Sequence, residues 1–138
     1  MRILIDTNTL ISAILNPGSI PSLAVYRASH APNSSIISEY NLNEIWKIFS
    51  YKFPDRINDL ETFLFEALGD TECMPVPKEG YLAEKLIRDK SDRPILRTAI
   101  YYDVDVILTG DKDFLEANII RPQCLSPRKF LELDLHWT

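Results

Sequence analysis

Ile3-Leu4-Ile5-Asp6-Thr7-Asn8 is the stretch from which the rest of this chain can be read. Three aliphatic residues in a row predict a short strand buried on both faces, and Asp6 closes it. A stretch of the same design lies near the other end. Residues 104–109, Val-Asp-Val-Ile-Leu-Thr, form the strongest strand candidate because they are rich in β-branched side chains. They run directly into Gly110-Asp111-Lys112-Asp113.

Helical and extended patterns alternate between these two stretches. Residues 10–15 read as a helix ended by Asn16-Pro17-Gly18, and residues 21–30 as a second. Residues 34–38 read as a strand. Leu42, Ile45, Trp46 and Phe49 then form a stripe with helical spacing, ended by Phe53-Pro54-Asp55. A further stripe, Leu60, Phe63, Leu64 and Leu68, stops at Gly69. Residues 72–76 suggest a strand, residues 81–88 and 93–102 helices, residues 118–125 a last strand and residues 127–133 a last helix. Strands alternating with helices predict an α/β fold with a mainly parallel sheet and helices on both faces, because parallel neighbours need crossover connections. No linker or repeat divides the chain, so residues 1–138 are expected to form a single domain.

In open sheets of this kind, ligands bind beyond the carboxyl ends of the strands. The first strand delivers Asp6 to that edge, and the residue 104–109 strand delivers Asp111 and Asp113. If these strands are neighbours, Asp6 and Asp111 face each other, and facing carboxylates require either a proton or a cation. An all-oxygen site without His or Cys suits Mg²⁺ or Mn²⁺. Such an ion can generate a nucleophile from water and stabilise a leaving oxygen, so no nucleophilic side chain is required. Each acid also has an ordinary structural reading. Asp92 in Lys90-Ser91-Asp92-Arg93-Pro94 looks like a helix N-cap, Asp111 and Asp113 could cap a turn, and Glu44 lies off the apolar stripe of its helix.

Composition narrows the function classes. The formal net charge is −5, a poor footprint for direct phosphate binding unless a cation stands between protein and nucleic acid. The two cysteines, Cys73 and Cys124, lack metal-ligand spacing, and His30 and His136 are too scattered for a zinc site. No apolar run approaches membrane-spanning length, and Asp6 comes too early for a signal peptide, so a cytoplasmic protein without a membrane partner is expected.

Four segments resemble the PIN domain, the PilT N-terminus nuclease fold. They are Ile3-Leu-Ile-Asp6-Thr7-Asn8-Thr-Leu-Ile-Ser12, Ser38-Glu-Tyr-Asn-Leu-Asn-Glu44-Ile45, Asp92-Arg-Pro-Ile-Leu-Arg-Thr-Ala99 and Val106-Ile-Leu-Thr109-Gly110-Asp111-Lys-Asp113. Their order covers nearly the whole chain, and the closest branch looks like the toxins of toxin–antitoxin pairs. The resemblance implies a three-layer α/β/α fold with about five parallel strands. It also implies an endoribonuclease that uses Mg²⁺ or Mn²⁺ to hydrolyse phosphodiester bonds. The acidic set it implies is Asp6, Glu44, Asp92 and Asp111, with Asp113 as an auxiliary metal ligand. Glu39 competes with Glu44 for the second acidic position, because a shifted helix would exchange them. Thr7, Asn8 and Thr109 match the small polar residues around the site. Lys112, Arg93 and Arg97 are candidate phosphate contacts, with Arg93 standing where relatives often carry an acid.

The resemblance also implies an RNA substrate and a small antitoxin partner, whose basic segment would suit the acidic site. Apolar surface on the early helices, Trp46 and Phe49 included, is read mainly as core, with a homodimer or higher even oligomer as the other use. Rival readings are an inactive PIN-like binding domain and an aspartate-based phosphotransfer enzyme. A dehalogenase-type phosphatase would want Asp-x-Asp where this chain has Asp6-Thr7-Asn8, and a nucleotide-binding module would want a glycine cluster that its four glycines do not make.

Overall fold

Side-chain alternation along the central strands builds the layers. In the computed structural model, which describes residues 1–134, β1 (Arg2–Ile5) turns Ile3 and Ile5 to one face and Leu4 to the other. Four more strands, β2 (Ser34–Ser38), β3 (Glu72–Met74), β4 (Val106–Leu108) and β5 (Gln123–Leu125), join it in the order β3-β2-β1-β4-β5. Every neighbouring pair is parallel. The most apolar strands, β1 and β4, are therefore neighbours at the middle, where burial on both faces favours them.

On the Ile3 face, Val106 and Leu108 of β4 and Ile37 of β2 are covered by α1 (Thr7–Leu15), α2 (Ile20–Ala28), α3 (Glu39–Lys52), α4 (Ile57–Glu66) and the last helix, whose Phe130 is buried. On the Leu4 face, Ile36 and Ile107 are covered by α5 (Arg93–Tyr101) and the short α6 (Lys112–Leu115), through Ile95, Leu96, Ala99 and Phe114. The last helix, α7, is Pro127–Asp134. This is the three-layer α/β/α arrangement expected from the sequence.

The helix punctuation follows from local chemistry. Ser38 caps α3 by accepting from the Asn41 N–H, and the Phe53-Pro54 break ends it. Gly69 stops the segment after α4, where a Cβ would lie 2.9 Å from the Phe65 carbonyl oxygen. One expected helix is different. Residues 81–88 make only a single 3₁₀ turn, Leu82–Leu86, because the Glu84 carboxylate bends back to the Tyr81 N–H and is gripped by Arg97. The strand of residues 104–109 is also shorter than its composition suggests. The Val104 N–H closes the end of α5 on the Ala99 carbonyl rather than joining the sheet. The expected last strand, residues 118–125, is cut to Gln123–Leu125.

Phe49 is fully buried and Trp46 packs against the same cluster, so both serve the core. Replacing Phe49 with Ala should lower the unfolding free energy by about 3–5 kcal/mol, read as a fall in the urea midpoint at unchanged m-value. A loss under about 1 kcal/mol would mean that Phe49 is not a core residue.

Candidate metal-binding site at the carboxyl edge of the sheet

Asp6 stands at the carboxyl end of the central strand and is 4% exposed. Its backbone N–H donates to the Leu108 carbonyl oxygen at 3.0 Å, which continues the β1–β4 pairing one residue past β1. Each of its carboxylate oxygens is held. Oδ1 accepts from the Thr7 N–H at 2.8 Å, capping α1, and from Asn41 Nδ2 at 3.4 Å. Oδ2 accepts from Thr109 Oγ1 at 2.8 Å. Thr109 Oγ1 in turn accepts from the Asp111 N–H at 3.0 Å, so one hydroxyl fixes both the first acid and the loop that carries the next. Asn41 Nδ2 also donates to Thr7 Oγ1 at 2.7 Å, and Asn41 Oδ1 accepts from Ser38 Oγ at 2.7 Å. The ends of β1, β2 and β4 are thereby tied into one buried network around a single carboxylate.

Burial pushes the Asp6 pKa up to about 6, against the opposing hydrogen bonds from Thr109 and Thr7, and the charges of Asp111 and Glu44 push it further up. Asp92 is raised to about 7, first by burial, then by the charge of Asp111 and a hydrogen bond shared with its carboxyl, and then by Asp89 and Asp6. Asp6, Asp92, Asp111, Glu44 and Asp89 are thus linked by their charges near the β1–β4 junction. Tyr40 stands among them, its pKa raised by burial and then by Glu44, Asp92 and Asp89. Glu44, not Glu39, is the α3 glutamate whose charge reaches Asp6. Glu39 is exposed, and its charge acts on Cys73.

Residues 2–113 match the family model described as "PIN domain". The chain belongs to the PIN domain family. A protein of Methanocaldococcus jannaschii described as "Uncharacterized protein MJ1680" is 26% identical over 96% of this chain and 90% of its own. Two solved structures share the fold. A chain of VapBC2 from Rickettsia felis, crystallised with a DNA fragment from their promoter, has a TM-score of 0.69 at 17% identity and covers 91% of this chain and 98% of that one. A chain of FitAcB from Neisseria gonorrhoeae has a TM-score of 0.63 at 20% identity, with the same coverage.

The PIN domain places the other sequence-selected residues as follows. Asp92 occupies the N-cap position of α5, yet its side chain makes no capping hydrogen bond. Asp89 caps a different element, the preceding 3₁₀ turn Lys90–Asp92, accepting from the Ser91 N–H and Oγ at 3.0 and 2.8 Å. The Asp92 carboxyl is thus left to the acidic cluster, which corrects the capping reading. Asp111 does cap α6, accepting from the Asp113 N–H at 2.9 Å. Asp113 binds Arg88 at 2.7 Å. Carboxylate oxygens of Asp89, Asp92 and Asp113 lie within 4.8 Å of one another.

Not every polar residue selected from the sequence joins the site. Asn8 is exposed and, among the described residues, makes no side-chain hydrogen bond. Arg97 is not free to meet a phosphate. It donates to Glu84 at 2.8 Å and to the Pro77 carbonyl at 3.3 Å, because Glu84 is buried and needs a cationic partner. Arg93 gives its Nε to the Ile87 carbonyl at 3.1 Å, and Lys112 is exposed.

Sequence reasoning missed Asn41, Ser38, Tyr40 and Asp89. Asn41 carried a signal, because it lies four residues before Ile45 and so falls on the buried stripe of α3, where a polar side chain needs partners. Asp89 carried a weaker one, an acid three residues before Asp92 at a helix start.

The donor set fits a hard divalent cation. Every clustered donor is a carboxylate oxygen, and Asp6 Oδ2, oriented by the neutral Thr109 hydroxyl, keeps a lone pair for a cation. Cys124 feels the Asp6 charge, but burial first and that charge second push its thiol up to about 12, so it stays protonated at neutral pH and offers no thiolate. His30 is stacked on Tyr26 of α2, with centroids 4.0 Å apart, and His136 lies outside the described residues.

The raised Asp6 pKa makes a signed prediction. The folded state holds this proton to about pH 6 and the unfolded chain only to about pH 3.8, so stability from this group is present at low pH and lost as pH rises between those values. The loss is about 3 kcal/mol at roughly 1.4 kcal/mol per pKa unit. Metal-free protein should therefore melt lower at pH 7.5 than at pH 5, more steeply than Asp6→Asn, and Mn²⁺ should raise the wild-type melting temperature at pH 7.5 far more than at pH 5. Equal pH slopes for wild type and Asp6→Asn in calorimetry would contradict it.

Proposed function

We propose that this PIN domain is a metal-dependent endoribonuclease and the toxin member of a toxin–antitoxin pair. The observation that carries this reading is the buried Asp6 carboxylate, anchored by Thr7 and Thr109 and surrounded by Asp111, Asp92 and Glu44. Such a concentration of negative charge is relieved either by protons, as the raised pKa values of Asp6 and Asp92 express, or by a cation between the acids. Mg²⁺ or Mn²⁺ suits the oxygen donors, and when bound it supplies Lewis acidity toward a phosphodiester and its attacking water.

The chain's own residues divide the work by position. Asp6, Asp92 and Asp111 would hold the ion, with Asp113 in support. Thr109 and Thr7 fix the rotamer of Asp6, and Asn41 fixes Thr7. Glu44 is half-buried on α3, where its carboxylate accepts a proton from the attacking water and orients it. The fold shared with the VapBC2 and FitAcB chains supports the toxin assignment. We place the protein in the cytoplasm with RNA as substrate. A small antitoxin partner would present a basic segment to this acidic edge, and pairing of two such complexes would give an even oligomer.

A phosphotransfer role for Asp6 fits less well. A phosphoryl acceptor must expose one carboxylate oxygen to an incoming phosphate. Asp6 is buried, and both of its oxygens already accept hydrogen bonds.

Asp6→Asn keeps the shape and removes the charge. With single-stranded RNA and Mn²⁺, it should lower the cleavage rate by at least about 100-fold, the scale of losing a group that acts in the transition state. Asp92→Asn and Asp111→Asn should each do the same, and Glu44→Gln should lower kcat with a smaller effect on Mn²⁺ affinity. Cleavage by Asp6→Asn at the wild-type rate would overturn the mechanism.

A further inference from the structure

We propose that Arg88 is the residue that grips an RNA phosphate beside the metal site. This rests on the ribonuclease reading above and names how the acidic edge tolerates a polyanion. Arg97 is consumed by Glu84, and Arg93 by the Ile87 carbonyl. Arg88 is different. Its side chain is 82% exposed, yet it is positioned, with Nη2 and Nε donating to Asp113 Oδ1 at 2.7 and 3.2 Å.

Asp113 connects this guanidinium to the site. Its carboxylate lies within 4.8 Å of ligand oxygens of Asp89 and Asp92, and Asp92 shares a hydrogen bond with Asp111. The guanidinium is therefore docked one carboxylate away from the acids that surround Asp6. A guanidinium carries five N–H donors in a planar fork. Two point at Asp113, and the exposure of the side chain leaves the others open to solvent. That arrangement can hold Asp113 and a phosphate together, with the bidentate geometry that arginine gives and lysine does not. Lys112 lines the same shallow depression as Arg88 and offers a second cation there, beside the acids Asp113 and Glu116.

Stability does not account for the pair, because exposed ion pairs contribute little to folding. The same fact makes Arg88 safe to substitute. A matched control exists in the described chain. Arg121 is also exposed and paired, at 3.0 Å from Asp103, but Asp103 precedes β4 and so lies toward the amino edge of the sheet.

The test is fluorescence anisotropy of a labelled single-stranded RNA with the full chain. Ca²⁺ replaces the activating ion, so that binding is read apart from cleavage. Arg88→Ala should weaken binding about tenfold and flatten the dependence of log K on log salt by about 0.7, the value of one phosphate contact on a single strand. Arg88→Lys should recover part of the affinity, and Arg121→Ala should stay within about twofold of wild type. In Mn²⁺-dependent cleavage, Arg88→Ala should raise KM and leave kcat within about threefold. Unchanged affinity and salt slope for Arg88→Ala would overturn the assignment. So would an equal loss in Arg121→Ala, which would mark a general charge effect. Wild-type protein that neither binds nor cleaves RNA would instead overturn the ribonuclease reading, and this role with it.

Discussion

The organisation of this chain depends on one constraint: a carboxylate is buried at the end of its central strand. Asp6 cannot be solvated there, and other acids gather around it. Its hydrogen bonds from Thr7 and Thr109 lower the cost of the charge but do not remove it, since its pKa stays raised. A site that holds charge at a cost in stability is the usual signature of function rather than folding. Under the proposed function, a divalent cation would supply the missing stabilisation.

The fold is what makes this constraint possible. Placing β1 in the middle, between β2 and β4, brings three strand ends to one point. The end of β1 contributes Asp6 and Thr7, the end of β2 contributes Ser38 and, one helical turn later, Asn41, and the end of β4 contributes Thr109. The contacts that join these strand ends to one another are not local in sequence. The Asp6–Thr109 hydrogen bond spans 103 residues, so the site forms only once the sheet is assembled. The two apolar clusters on either face hold those strands in register and keep water from the inner side of the network.

The parts legible in the sequence were those with a strong local signal. Residues 34–38 form the expected strand, and the Leu42–Phe49 stripe lies on the expected helix. Asp6 and Asp111 could be paired from strand placement alone, because two aliphatic runs ending in acids imply one shared edge. Parts that depend on tertiary partners were not legible. Arg97 was a candidate phosphate contact in the sequence, but buried Glu84 claims it, and the same ion pair braces the short turn of residues 82–86. Asp92 looked like a cap and does stand at the N-cap position of α5, but its carboxyl makes no capping hydrogen bond, and spacing cannot tell these two outcomes apart.

The most direct test of the central claim is anomalous scattering from crystals of the full chain soaked in Mn²⁺ at neutral pH. The account predicts a peak in the cleft bounded by Asp6, Asp92 and Asp111, with carboxylate oxygens at about 2.1 Å, close to the distance for a small hard cation. No peak there, or a peak held only by Asp89 and Asp113 at the rim, would contradict it.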